Sequence, residues 1–113
     1  NMFLIAGPGS PSVLTNMLPS IEQHVRWIGD CIATVQARQA QRIEPVAAAE
    51  EGWVSHVNDL AAASLFPSCN SWYLGANVPG KARVFMPYSG GFATYIEKCN
   101  EVAARGYEGF ALS

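Results

Sequence analysis

The stretch FLIAGPGSPSVLTNMLPSIEQHV, residues 3–25, sets an apolar run, a turn rich in glycine and proline, and a helix start in direct succession. Met2 to Ala6 has the character of a strand buried on both faces, and Gly7-Pro8-Gly9-Ser10-Pro11 stops it. A strand of that kind needs neighbours on both sides. Ser20-Ile21-Glu22-Gln23 matches a capping box, in which the serine oxygen takes an orphan helix amide and the glutamine reaches back to the cap. Ile21, Val25, Ile28, Ile32 and Val35 then form an apolar stripe, with Glu22, Arg26 and Asp30 off it, so the spacing predicts a helix over about residues 21–39.

Working outward, Arg38 to Arg42 is polar, and Pro45 sits where the first turn of a helix accepts its missing amide proton. A second helix is expected over about 45–65, with Trp53, Val57, Leu60 and Ser64 as its stripe and Pro67 closing it. Residues 67–81 carry turn residues throughout and yet hold adjacent aromatics, Trp72 and Tyr73. Arg83 to Met86 reads as a strand, and Phe92, Ile96, Cys99 and Val102 as a helix ending near Gly106. Tyr107 to Leu112 reads as a last strand broken by Gly109. The class is mixed α/β, with too few strands for a sheet covered on both faces.

A chain of 113 residues is one domain at most. Charged residues make up 14%, against about 25% in ordinary soluble chains, while apolar residues reach 50%. Some of the surface is therefore expected to lie against another piece. Seven basic and nine acidic residues leave a net charge of -2, which disfavours polynucleotides and anionic membranes as partners. No apolar run reaches the roughly 18 residues of a membrane span, and the start lacks signal-peptide features, so a soluble, cytoplasmic protein is expected. Cys31, Cys69 and Cys99 are odd in number and widely spaced, which predicts free thiols. The abrupt apolar entry at Met2 predicts a piece of a longer protein that does not fold stably alone.

Several constellations have two readings. Gly7-Pro8-Gly9 between strand and helix invites a dinucleotide fingerprint, but Ser12 stands where a third glycine or alanine belongs and Pro11 interrupts the turn, so a turn with unusual dihedrals is favoured. His24 and His56 fall on polar helix flanks with no metal-ligand spacing and are expected to face solvent. No serine has a nucleophile elbow, and Asp30, Asp59, Glu50 and Glu51 read as a solvated face. Trp72 and Tyr73 could close over a flat ligand or anchor their loop to the core, with the two readings evenly weighted. Leu14-Thr15-Asn16-Met17 could be core or a pocket wall.

The three blocks FLIAGPGSPSVLTNMLPSIEQHV at 3–25, NSWYLGANVPGKARVFMPYSGG at 70–91 and EVAARGYEGFALS at 101–113 together resemble the carboxy-terminal part of the type I Baeyer–Villiger monooxygenases, the group of cyclohexanone and phenylacetone monooxygenases. The resemblance implies the C-terminal part of an FAD-binding Rossmann-like domain with a helical segment, incomplete as an isolated fold. It divides residues 1–113 into a pocket loop at 7–19, helices at about 21–39 and 45–65, a cofactor lid loop at 67–81 and a terminal strand-helix-strand at 82–113.

The resemblance further implies tightly bound FAD, NADPH as hydride donor, and a peroxyflavin that attacks a ketone, so that one oxygen atom of O2 enters beside the carbonyl to give an ester or lactone. Leu14, Thr15 and Met17 would line the substrate pocket, Asn16 and Met17 would meet the flavin, and Trp72 would contact NADP. The family's charge-stabilising arginine, its dinucleotide fingerprints and its FxGxxxHxxxW signature have no counterpart here. The resemblance therefore implies no catalytic residue in these 113 positions, an inactive isolated chain, and the enzyme's amino-terminal portion as partner. Ala82 and Ser89 depart from the residues common in the family. The competing expectations are a stand-alone interaction domain without cofactor and a segment of an N-oxidising flavin monooxygenase.

Overall fold

A computed structural model describes residues 1–113. Helix α1 spans Met17–Ala37, strand β1 Ile43–Pro45, helix α2 Ala47–Ala62, helix α3 Phe92–Ala104 and strand β2 Phe110–Leu112, with short 3-10 turns at Ser12–Leu14, Phe66–Ser68 and Trp72–Leu74. The mixed α/β class is as expected. No helix is long and apolar enough to cross a membrane.

Helix α1 starts four residues before the expected position. Asn16 has extended backbone and its side chain accepts from the Leu18 amide at 3.2 Å, so Asn16 is the cap. Ser20 is instead fully buried one turn inside the helix, and the capping-box assignment is corrected. Pro19 fits there because first-turn amides have no intrahelical partner to lose. At the other end Gln39 takes a left-handed φ of 55°, which stops the helix.

Two expected strands are absent. Residues 2–6 form no ladder and leave Met2, Leu4 and Ile5 exposed, because within these 113 residues no neighbouring strand pairs with them. Residues 83–86 are irregular too. They are held singly: the Phe85 amide donates to Asn58 Oδ1 at 3.0 Å, and the Met86 amide to the Tyr73 carbonyl at 3.1 Å. The terminal strand is present as β2, beginning after Gly109. Its partner β1 was not anticipated, since three residues ending in proline carry no alternation. The pair is antiparallel, with Ile43 opposite Leu112, Glu44 opposite Ala111 and Pro45 opposite Phe110. Pro45 thus closes a strand, and α2 begins after Val46 and ends at Ala62 instead of running over 45–65.

Only 14 of 113 residues are fully buried, so the core is confined to two small clusters. Val57 and Ala61 of α2 meet Leu74, Phe85 and Tyr88 in one; Cys31, Ile43 and Tyr107 make the other, with Trp27 against them. The indole N–H of Trp27 donates to the Cys99 carbonyl at 2.8 Å and ties α1 to α3.

Candidate functional site

The turn at residues 6–10 is held from three directions. The Ala6 amide, at φ 55°, donates to Nδ1 of His24 on α1 at 3.0 Å. The Gly9 amide donates to the Met86 carbonyl at 2.7 Å, while the Gly9 carbonyl accepts from the indole N–H of Trp53 on α2 at 3.1 Å. The Tyr88 amide donates to the Ser10 carbonyl at 2.7 Å. Gly9 has a φ of 79°, and a Cβ there would lie 2.7 Å from Trp53 Nε1. Glycine is required by the turn and by the indole, which supports the turn reading over a dinucleotide fingerprint.

Beyond the turn, the Ser12–Leu14 segment is closed by the Leu14 amide donating to the Pro11 carbonyl at 2.9 Å, and the chain enters α1 at Met17. Leu14 and Asn16 are exposed, and Thr15 and Met17 half-buried. With Val13 and Leu18, also exposed, they form an outward-facing rim that carries no charged side chain. The segment is an uncharged surface that supplies no acid, base or nucleophile.

The second predicted position is built differently. Ser71 caps the Trp72–Leu74 turn by accepting from the Tyr73 amide at 3.2 Å, and Gly75 closes it in a left-handed conformation at φ 72°. Leu74 is buried, and Tyr73 packs edge-on to Phe66 and Phe85. Trp72 rests on Tyr73 at 4.1 Å between ring centroids and remains 60% exposed. Anchoring falls to Tyr73 and Leu74, which leaves the Trp72 indole largely in solvent. The two loops meet at one residue, since Met86 accepts from Gly9 and donates to Tyr73.

Neither histidine faces solvent as expected, and His24 departs furthest. It is buried, 6% exposed, and edge-on to Tyr95 at 5.6 Å. The buried face of α1 is Ser20, His24 and Cys31, with Trp27 and Ile28 half-buried beside it, while Val25 and Ile32 of the expected stripe are exposed. The spacing of 20, 24, 27 and 31 is itself helical and could have revealed that face. Burial pushes the His24 pKa below 6.5. With Nδ1 accepting from Ala6, the neutral ring carries its proton on Nε2, which is buried without a partner. His56 is half-buried, not solvent-facing, and its Nε2 is likewise unpartnered. Burial also raises the pKa of Tyr95 and that of Cys99, the latter opposed by hydrogen bonds from Tyr95 and Gln23.

A concavity of about 540 Å³ lies elsewhere. Phe3, Trp27, Trp53, Val57, Phe85 and Phe110 wall it, and none of Leu14, Thr15, Asn16, Met17 or Trp72 reaches it. No three His, Cys, Asp or Glu side chains converge on a metal position. Asp30, Asp59, Glu50 and Glu51 are exposed, as expected of a solvated face.

No family model matches the chain. Individual proteins do. It is 46% identical, over its whole length, to an acetone monooxygenase (methyl acetate-forming) of Gordonia sp. strain TY-5, and 41% identical over 99% of its length to the phenazine N-monooxygenase PhzNO1 of Lysobacter antibioticus. A crystal structure of cyclohexanone monooxygenase from Rhodococcus sp. Phi1 bound to NADP+ superimposes with a TM-score of 0.89 and 41% identity, covering 98% of this chain and 20% of that one. The chain spans about a fifth of the length of the curated relatives it matches. Near-complete coverage by ketone monooxygenases at this identity, together with the shared fold, places the chain in the Baeyer–Villiger monooxygenase family, where it corresponds to one continuous segment of the enzyme.

Proposed function

We propose that this segment supplies one wall of the ketone pocket and the cofactor-covering loop of an FAD- and NADPH-dependent Baeyer–Villiger monooxygenase. The observation that carries the proposal is the full-length match, at 46% identity, to an enzyme whose name states the conversion of a ketone to an ester. Bound FAD, reduced by NADPH, would supply the activated oxygen. The chain's own residues bind and enclose: Leu14, Thr15 and Met17 face the ketone, Asn16 and Met17 border the flavin, and the open indole face of Trp72 covers the nicotinamide. Excluding water is the physical task of such a rim and lid, because an apolar enclosure keeps reactive oxygen from being lost to solvent. The apolar 540 Å³ groove is where the remainder of the enzyme packs, which accounts for the exposure of Leu4 and Val84 around it.

The test is to recover the full-length coding sequence, express the holoenzyme and follow NADPH consumption, flavin absorbance and ester formation on a panel of cyclic and acyclic ketones. Ester formed only when ketone, NADPH and O2 are all present is the expected result. A flavin-free protein, or NADPH oxidation indifferent to every ketone, overturns the proposal. The 41% match to a phenazine N-monooxygenase favours a second reading, oxygen transfer to a ring nitrogen. N-oxide formation from phenazines without ester from any ketone would select it.

A further inference from the structure

We infer that Trp53 is a positioning residue of the ketone pocket, acting from α2 through the carbonyl of Gly9; the inference rests on the pocket role proposed for Leu14 to Met17. The Gly9 peptide groups are both engaged, the amide by the Met86 carbonyl at 2.7 Å and the carbonyl by the Trp53 indole at 3.1 Å. The indole is also the nearest obstacle on the open side of Gly9, 2.7 Å from where a Cβ would stand.

Trp53 is itself fixed. Its ring stacks parallel to Tyr88, with centroids 5.4 Å apart and 8° between planes. Tyr88 is 1% exposed, and its amide holds the Ser10 carbonyl at 2.7 Å. Trp53 and Tyr88 thus hold consecutive residues of the turn, Gly9 through the indole N–H and Ser10 through the Tyr88 main-chain amide. Ser10 and Pro11 are buried and the rim begins two residues on, at Val13, so a change in the Gly9 carbonyl direction is passed to Leu14 over four intervening residues. Misplacement of a pocket wall by about 1 Å is enough to change turnover up to a hundredfold. Trp53 does not belong to the rim; its effect is on where the rim stands.

The test uses the full-length holoenzyme in four forms: wild type, Trp53→Phe, a version with 3-benzothienylalanine at position 53, and Leu14→Ala. Phenylalanine keeps an aromatic ring against Tyr88 and loses the N–H. The benzothienyl ring keeps the indole shape with sulfur in place of N–H, so it separates loss of the hydrogen bond from loss of packing. The readouts are kcat/KM for a small acyclic and a bulky cyclic ketone, the regioisomer ratio from an unsymmetrical ketone, and the rate of flavin reduction by NADPH. Both position-53 forms are expected to shift the ratio of the two kcat/KM values by about threefold or more, with flavin reduction within twofold of wild type. A shift in Leu14→Ala with none at position 53 overturns the role of Trp53 alone. No shift in any variant overturns it together with the pocket assignment. Ketone preference and flavin reduction failing in parallel at position 53 would assign Trp53 to general packing and equally overturn the inference.

Discussion

The Ala6 amide donates to Nδ1 of His24 at 3.0 Å, so a buried imidazole holds the first unit of the turn at residues 6–10 in its left-handed conformation. Only the neutral ring can accept there, because a protonated imidazole is a donor at both nitrogens. Burial lowers the folded-state pKa below 6.5. The unfolded chain therefore binds a proton more readily, and the contribution of this histidine to stability is complete above pH 6.5 and is lost as pH falls through the lowered folded value.

His24→Gln, which offers an amide oxygen to Ala6 and does not titrate, should flatten the fall of stability between pH 7 and pH 5. Urea unfolding midpoints of both forms across that range measure it. Identical slopes would show that the imidazole does not titrate with folding.

Gly9 and Gly80 both have positive φ, 79° and 76°, but only Gly9 has a side chain packed against it. Gly80→Ala should cost about 1–2 kcal/mol from left-handed backbone alone. Gly9→Ala adds displacement of an aromatic ring with little freedom to move, for a further 1–3 kcal/mol or so. Comparison of the two thermal midpoints decides it, and equal losses would mean that the indole yields.

What the sequence made legible was set by local chemistry. Three helices, the terminal strand and the stop at Gly106 follow from periodicity and from glycine at φ 71°, both written in nearby residues. The apolar run at 2–6 was misread because burial of a strand depends on partners far along the chain, and here none lies beside it. The cap moved from Ser20 to Asn16 because both are good caps and only tertiary packing, which buries Ser20, decides between them. For Leu14 to Met17 and for Trp72 the residues left two readings open, and the roles given to them came from resemblance. Nothing in their spacing distinguishes a surface segment from core; the structure leaves Leu14 and Asn16 exposed and Thr15 and Met17 half-buried.

The three thiols differ in environment and should react in a fixed order. Cys69 is exposed, Cys99 is half-buried with its pKa raised by burial, and Cys31 is fully buried with its pKa also raised. Since the thiolate is the reactive species, a maleimide at pH 7.5 should label Cys69 first and leave Cys31 unmodified until denaturant is added. Peptide mapping over time gives the order, and early labelling of Cys31 would show that α1 opens on that timescale.

Trp72 and Tyr73 are adjacent and aromatic, yet the structure gives them opposite parts. Tyr73 packs on Phe66 and Phe85, whereas Trp72 is 60% exposed and rests on Tyr73. Tyr73→Ala should lower stability by about 2–3 kcal/mol through lost aromatic packing. Trp72→Ala, with little burial to lose, should cost under about 1 kcal/mol. If the open indole face covers nicotinamide, Trp72→Ala in the holoenzyme should weaken NADP+ retention and raise the hydrogen peroxide formed per NADPH consumed, while ester per NADPH falls. Titration with NADP+ and a peroxide assay in the presence of ketone read both quantities. Unchanged coupling beside an unchanged thermal midpoint would return Trp72 to the status of a bystander on its loop.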